Sequence, residues 1–120
     1  MDDTLYREEI LEHYRNPQHF GKPKTYTVSS KQTNPFCGDE VEMFLHTENG
    51  EIDDIGFEGI GCAICIAGAS LLTEFALGKS KDELTKFDDS DMLSLLGIPV
   101  SQTRKKCALL AFATLQDCLK

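Results

Sequence analysis

No apolar run in this 120-residue chain approaches the roughly 20 residues needed to cross a bilayer, so no membrane partner is expected. The start, Met1-Asp2-Asp3, lacks both the basic residues and the apolar stretch of a secretory signal, which points to the cytoplasm. Basic charge is scarce as well. Twelve Lys plus Arg stand against 20 Asp plus Glu, a net charge of −8, and no basic face with interleaved aromatics offsets it. That balance opposes phosphate-backbone binding and sets nucleic acid aside as the principal partner. It suits solubility, or docking to a basic protein. There is no internal repeat, low-complexity tract or linker, and 41% hydrophobic with 27% charged residues is ordinary globular composition. Residues 1–120 therefore read as a single domain. Five cysteines, an odd count, with no secretory signal argue against a disulfide framework. Metal ligation or sulfur chemistry is the better expectation.

Periodicity places the elements. Residues 4–14 carry Tyr6, Ile10, Leu11 and Tyr14 at helical spacing, and Asn16-Pro17 ends that helix. Residues 18–24 form a loop, and the β-branched and aromatic residues of 25–30 predict a short strand. Val41, Met43 and Leu45 alternate with Glu42, Phe44 and His46 as a second strand. Asn49-Gly50 signals a tight hairpin, and Ile52, Ile55 and Phe57 continue as a third strand. Residues 63–77 form a helix ended by Gly78. Two short helices follow over 81–86 and 91–96, the second with Ser90 as its cap candidate. After Gly97-Ile98-Pro99 the last helix spans 103–119. A helix, a three-stranded antiparallel meander and then helices make an α+β domain.

Three of the five cysteines sit in settings where sulfur is made reactive. Cys37 lies in a Pro-Phe-Cys-Gly-Asp turn, where Gly38 lets backbone approach closely and Asp39 adds a carboxylate. Cys62 follows Gly-Ile-Gly at a helix start, where free N–H groups and the dipole attract negative charge. Cys107 follows Arg104-Lys105-Lys106 at the start of the last helix, an end where cations are disfavoured unless an anion lies nearby. Cys62-Ala63-Ile64-Cys65 is formally a CxxC, but no second close pair supports a zinc knuckle, and the element order does not supply a thioredoxin fold. Cys65, flanked by isoleucines one turn into the helix, and Cys118 read as packing residues. His13, His19 and His46 follow no ligand spacing, although His13 and His19 flank a loop that could meet a partner. Cys37, Asp39, Cys62 and Cys107 together offer three sulfurs and one oxygen. Zinc accepts that set, and iron–sulfur clusters are held mainly by thiolates. A hard, exchangeable carboxylate suits a cargo that must leave.

These motifs carry a resemblance. Asn34-Pro-Phe-Cys37-Gly-Asp39, Gly59-Ile-Gly-Cys62 with Ile66-Ala67 and Ala69-Ser70, and Lys106-Cys107 resemble the iron–sulfur scaffold family of IscU, SufU and the NifU N-terminal domain. The opening stretch, Tyr6 through Glu12-His13-Tyr14-Arg15-Asn16-Pro17 and Gly21, is similar too, so the likeness covers essentially the whole chain. It implies a SufE/NifU-like fold, a three-stranded antiparallel sheet with helices packed on it. It also implies a transient [2Fe–2S] cluster or zinc at Cys37, Cys62 and Cys107, with Asp39 as a further ligand or as the residue that keeps the cluster transferable. Cys107, Cys37 and Cys62 are the implied sulfur-handling thiols, with Cys107 the candidate persulfide acceptor. The implied partners are a PLP-dependent cysteine desulfurase and apo iron–sulfur acceptor proteins. IscU-type members have His before the third cysteine and a Leu-Pro-Pro-Val-Lys chaperone-docking segment. Here Lys106 and Ser101-Gln102-Thr103-Arg104-Lys105 stand instead, so an Hsp70-type chaperone is not an expected partner. Lys106 matches SufU-type members, yet their usual insertion between the second and third cysteines is missing. Three functions follow: a cluster scaffold, a zinc-dependent sulfurtransferase that activates the desulfurase, or a structural zinc module. Asp39 argues against the last, since closed structural sites prefer Cys and His.

Overall fold

The structure, a computed structural model, describes residues 3–35 and 38–120. Helix α1 (Asp3–Arg15) leads into a loop and then the strands β1 (Val28–Asn34), β2 (Asp39–Glu48) and β3 (Glu51–Ile60). These pair in the order β1-β2-β3, all antiparallel. Four helices follow: α2 (Ala63–Ala76), α3 (Lys81–Thr85), α4 (Asp89–Leu96) and α5 (Gln102–Cys118). The α+β meander expected from the sequence is the observed architecture.

Its hairpin turn follows from two residues. Asn49 and Gly50 both adopt positive φ, 54° and 79°, the conformation that a type I′ turn demands and that matches strand twist. Just beyond it the register slips between His46 and Thr47. Thr47 faces Ile52 while His46 faces Asp54, so Asp53 is a bulged residue. The slip lets Ile52, Ile55 and Phe57 all enter the core despite their uneven spacing.

Val41, Met43 and Leu45 alternate along β2 and are fully buried in one cluster with Leu72 of α2 and Leu115 of α5. Phe44 points to the opposite face and is still buried, because the Tyr26 ring covers it edge-on at 5.1 Å. Helix α5 packs across β1, β2 and α2, and α1 packs on α2. Ile10 joins Ala67, Leu96 and Ala108 in a second cluster there.

Two boundaries differ from expectation. The first strand lies at 28–34 instead of 25–30. Lys31, Gln32 and Thr33 have little apolar character, but β2 offers them a ladder as far as the pair Asn34–Asp39, and backbone pairing outweighs side-chain propensity. Helix α4 is capped by Asp88 and not by Ser90. The Asp88 carboxylate accepts from the Asp91 N–H at 2.9 Å, and the Asp91 carboxylate accepts from the Asp88 N–H at 3.0 Å, a reciprocal box that satisfies two donors. No helix among the described residues is long and apolar enough to cross a membrane.

Candidate metal centre

Three separate elements deliver the site. Asp39 opens β2 and is held in register by its pairing with Asn34 across the β1–β2 connection, which Gly38 N–H closes onto Asn34 O at 2.9 Å. Cys62 follows the end of β3 and is the N-cap residue of α2, with extended backbone at φ −71° and ψ 170°. Cys107 lies more than one turn inside α5, deeper than the helix start expected for it, and its side chain is buried. The burial is set by the helix face, since Cys107, Ala111, Leu115 and Cys118 all turn inward on α5.

The ligand atoms of Asp39, Cys62 and Cys107 all lie within 4.8 Å of one another. Around a tetrahedral zinc with Zn–S near 2.3 Å, sulfurs sit roughly 3.8 Å apart. Small side-chain rotations would close the observed set to that spacing. Two soft sulfurs and one hard oxygen fit zinc, and they equally fit a cluster held on one side by a labile ligand. Asp39 is also tied to the helix that carries Cys62, because the Cys62 backbone N–H donates to its Oδ1 at 3.3 Å. Asp39 is only 3% exposed and Cys62 is half-buried, so the centre opens to solvent on the Cys62 side. Cys37, the remaining expected ligand, lies outside the described residues.

Gly61 was not legible from sequence as part of the site. A Cβ there would stand 2.8 Å from Asp39 Oδ1 and 3.0 Å from Cys65 Sγ, so only glycine leaves the carboxylate its place. The signal was available only as an unexplained glycine before Cys62. Cys118, read as packing, is buried and its Sγ lies 3.7 Å from Met43 O. Burial pushes its pKa up to about 12, which keeps that thiol inert at neutral pH.

The histidines are not ligands of this centre. His13 Nδ1 and the Gln18 N–H both lie 2.7 Å from Ser70 Oγ, and His19 Nδ1 lies 3.2 Å from Thr73 Oγ1. His13 fastens α1, and Gln18 and His19 the loop after it, to α2, a use foreshadowed only by two polar residues on an apolar helix. Next to Gly61, Ile60 and Phe20 are 66% and 54% exposed and border an apolar cavity of about 360 Å³ with Tyr14 and Ile66.

Residues 5–120 match the NifU-like N terminal domain family. The chain is 32% identical to the zinc-dependent sulfurtransferase SufU of Bacillus subtilis, over 95% of this chain and 88% of that one. It is 32% identical to the iron–sulfur cluster assembly scaffold protein IscU of Thermotoga maritima, over 97% and 93%. A crystal structure from Fervidobacterium islandicum, of a candidate iron–sulfur cluster assembly scaffold for the SUF system, superposes with a TM-score of 0.82 at 27% identity over the full length of both chains. This chain belongs to the NifU-like N terminal domain family.

Proposed function

We propose that this chain is an iron–sulfur cluster assembly scaffold, acting as one domain over residues 1–120 in the cytoplasm. Sulfur reaches it as a persulfide from a PLP-dependent cysteine desulfurase, with Cys107 as the receiving thiol. Once a thiol reductant has taken that sulfur to sulfide, iron joins it at Cys37, Asp39, Cys62 and Cys107, and the resulting [2Fe–2S] cargo passes to apo iron–sulfur proteins. One observation carries the reading: ligand atoms from β2, the start of α2 and the middle of α5 meet within 4.8 Å. Residues so distant in sequence converge on that scale when the fold serves a site. The carboxylate among them favours cargo over storage, since oxygen holds iron less firmly than sulfur does. The exposed Ile60 and Phe20, which share a cavity with Gly61, supply an apolar surface for a protein partner.

A second reading is favoured by Lys106, which precedes Cys107 where IscU-type members carry histidine, and by the likeness to a relative named as a zinc-dependent sulfurtransferase. In it zinc rests on the same four residues, and desulfurase binding frees one thiolate to accept sulfur. The test is a single preparation made without oxygen. Metal content and absorption are measured before and after desulfurase, cysteine and ferrous iron are added. Iron–sulfur bands that pass to an apo-ferredoxin support the scaffold. Stoichiometric zinc with faster desulfurase turnover and no bands supports the transferase. Zinc with neither effect overturns both.

A further inference from the structure

Cys65 is a thiol that neither reading uses, although it lies against the site. It is the third residue of α2 and 1% exposed, while Cys62 caps the same helix. Cys62 packs on the core cluster that contains both Cys65 and Cys107. The Cys65 sulfur and the Asp39 carboxylate face each other across the space that a side chain on residue 61 would fill. N-cap and N3 side chains are neighbours at a helix start, as the reciprocal bonds of Asp88 and Asp91 show on α4 of this chain. No disulfide joins the two in this structure. A CxxC at a helix start is the spacing at which two thiols exchange with an internal disulfide. The thioredoxin fold is absent, but the chemistry needs only the paired thiols and an oxidant.

We propose that Cys65 is the resolving thiol of a reductive sulfide release on this chain, with the sulfane sulfur of a Cys62 persulfide as the oxidant. The Cys65 sulfur attacks the Cys62 sulfur. The bond from Cys62 to its terminal sulfur breaks, and that sulfur departs as hydrosulfide. The proton from the Cys65 thiol leaves for solvent or for the departing sulfide. The sulfane sulfur gains two electrons, and the two cysteine sulfurs lose one each as the Cys62–Cys65 disulfide forms. A dithiol reductant, small or protein-borne, then restores the pair. This step rests on the proposed sulfur delivery to the site, with Cys62 taking the sulfane sulfur directly or from Cys107 by a redox-neutral exchange. It gives the scaffold its own electrons for making sulfide. It also withdraws Cys62 from ligation until the disulfide is reduced, so that sulfide release precedes cluster closure.

The experiment loads the metal-free full chain with inorganic polysulfide, removes excess reagent without oxygen, and follows released sulfide, intact mass and cysteine linkage. Wild type is expected to release close to one equivalent of sulfide and to end two hydrogens lighter, linked Cys62 to Cys65 and restored by a dithiol. Cys65→Ala and Cys65→Ser are expected to hold the persulfide, with sulfide release slower by about tenfold or more. Zinc binding by both variants establishes that the site still forms. Equal release from either zinc-binding variant, a Cys62–Cys107 linkage in wild type, or a wild type that keeps its persulfide overturns the proposal. Because polysulfide replaces the desulfurase, these outcomes are separate from any failure of desulfurase-dependent delivery.

Discussion

Replacing Gly61 with alanine removes no ligand and should still weaken metal binding. The added methyl would stand 2.8 Å from Asp39 Oδ1 and 3.0 Å from Cys65 Sγ. Comfortable contact needs roughly 3.5 Å, so the carboxylate must retreat by about half an ångström or more. Metal–ligand distances tolerate about 0.2 Å, so Asp39 loses its ligating position, or the loop shifts and carries Cys62 with it. Gly61 lies outside the positive-φ glycines, so the effect is one of crowding and not of forbidden backbone. Displacing a group that positions a ligand costs about 10- to 100-fold in metal affinity, and overpacking of this kind costs about 1–3 kcal/mol in stability. Zinc competition against a chromophoric chelator reads the first, and denaturant unfolding of the metal-free protein reads the second. Cys65→Ala in the same chain removes one of the two clashes, so the double variant should recover part of both losses instead of adding to them. A Gly61→Ala protein with wild-type zinc affinity and stability would refute the placement of Asp39 at the centre.

Asp39→Ala should leave cluster formation possible on the remaining thiols and slow transfer to an apo-ferredoxin by about tenfold; unchanged transfer kinetics would remove the carboxylate from the release step. Asp88→Ala breaks the reciprocal cap of α4 and should cost about 0.5–2 kcal/mol in urea unfolding, with metal affinity unaltered. The exposed pair of His46 Nδ1 and Asp53 Oδ1, 2.5 Å apart, gives a pH dependence of known sign. The hydrogen bond to Asp53 raises the His46 pKa above 6.5, and the same bond lowers that of Asp53 below 3.8. The His46 contribution is therefore complete below about 6.5 and is lost as pH rises through its elevated folded value. The Asp53 contribution is complete above about 3.9 and is lost as pH falls through its lowered value. A proton NMR titration should place His46 above its usual value in wild type and return it there in Asp53→Asn.

Local signals proved reliable where one residue decides the geometry. Asn49-Gly50 specifies its own turn, the alternation of Val41, Met43 and Leu45 specifies a strand, and Cys62 after Gly-Ile-Gly specifies a helix start. What escaped the sequence depends on residues that meet only after folding. The polar run Lys31–Asn34 becomes strand because β2 pairs with it, and Ile52 shares a face with Ile55 because a bulge at Asp53 slips the register. Gly61 matters because a carboxylate from another strand lies over it. The basic residues before Cys107 show the same limit. They suggested a thiol in the first turn of α5, yet Arg104 and Lys106 are exposed while Cys107 is buried beyond them. Their charge therefore stays at the surface while the sulfur sits in the core. The three candidate ligands among the described residues are fixed from three directions: by strand register at Asp39, by the helix cap at Cys62, and by helix packing at Cys107. A shift of α5 moves Cys107 alone, whereas Asp39 and Cys62 move together. Substitutions in the α2–α5 contact should consequently change how Cys107 meets the metal while leaving the Asp39–Cys62 pair, joined by its own 3.3 Å hydrogen bond, in place.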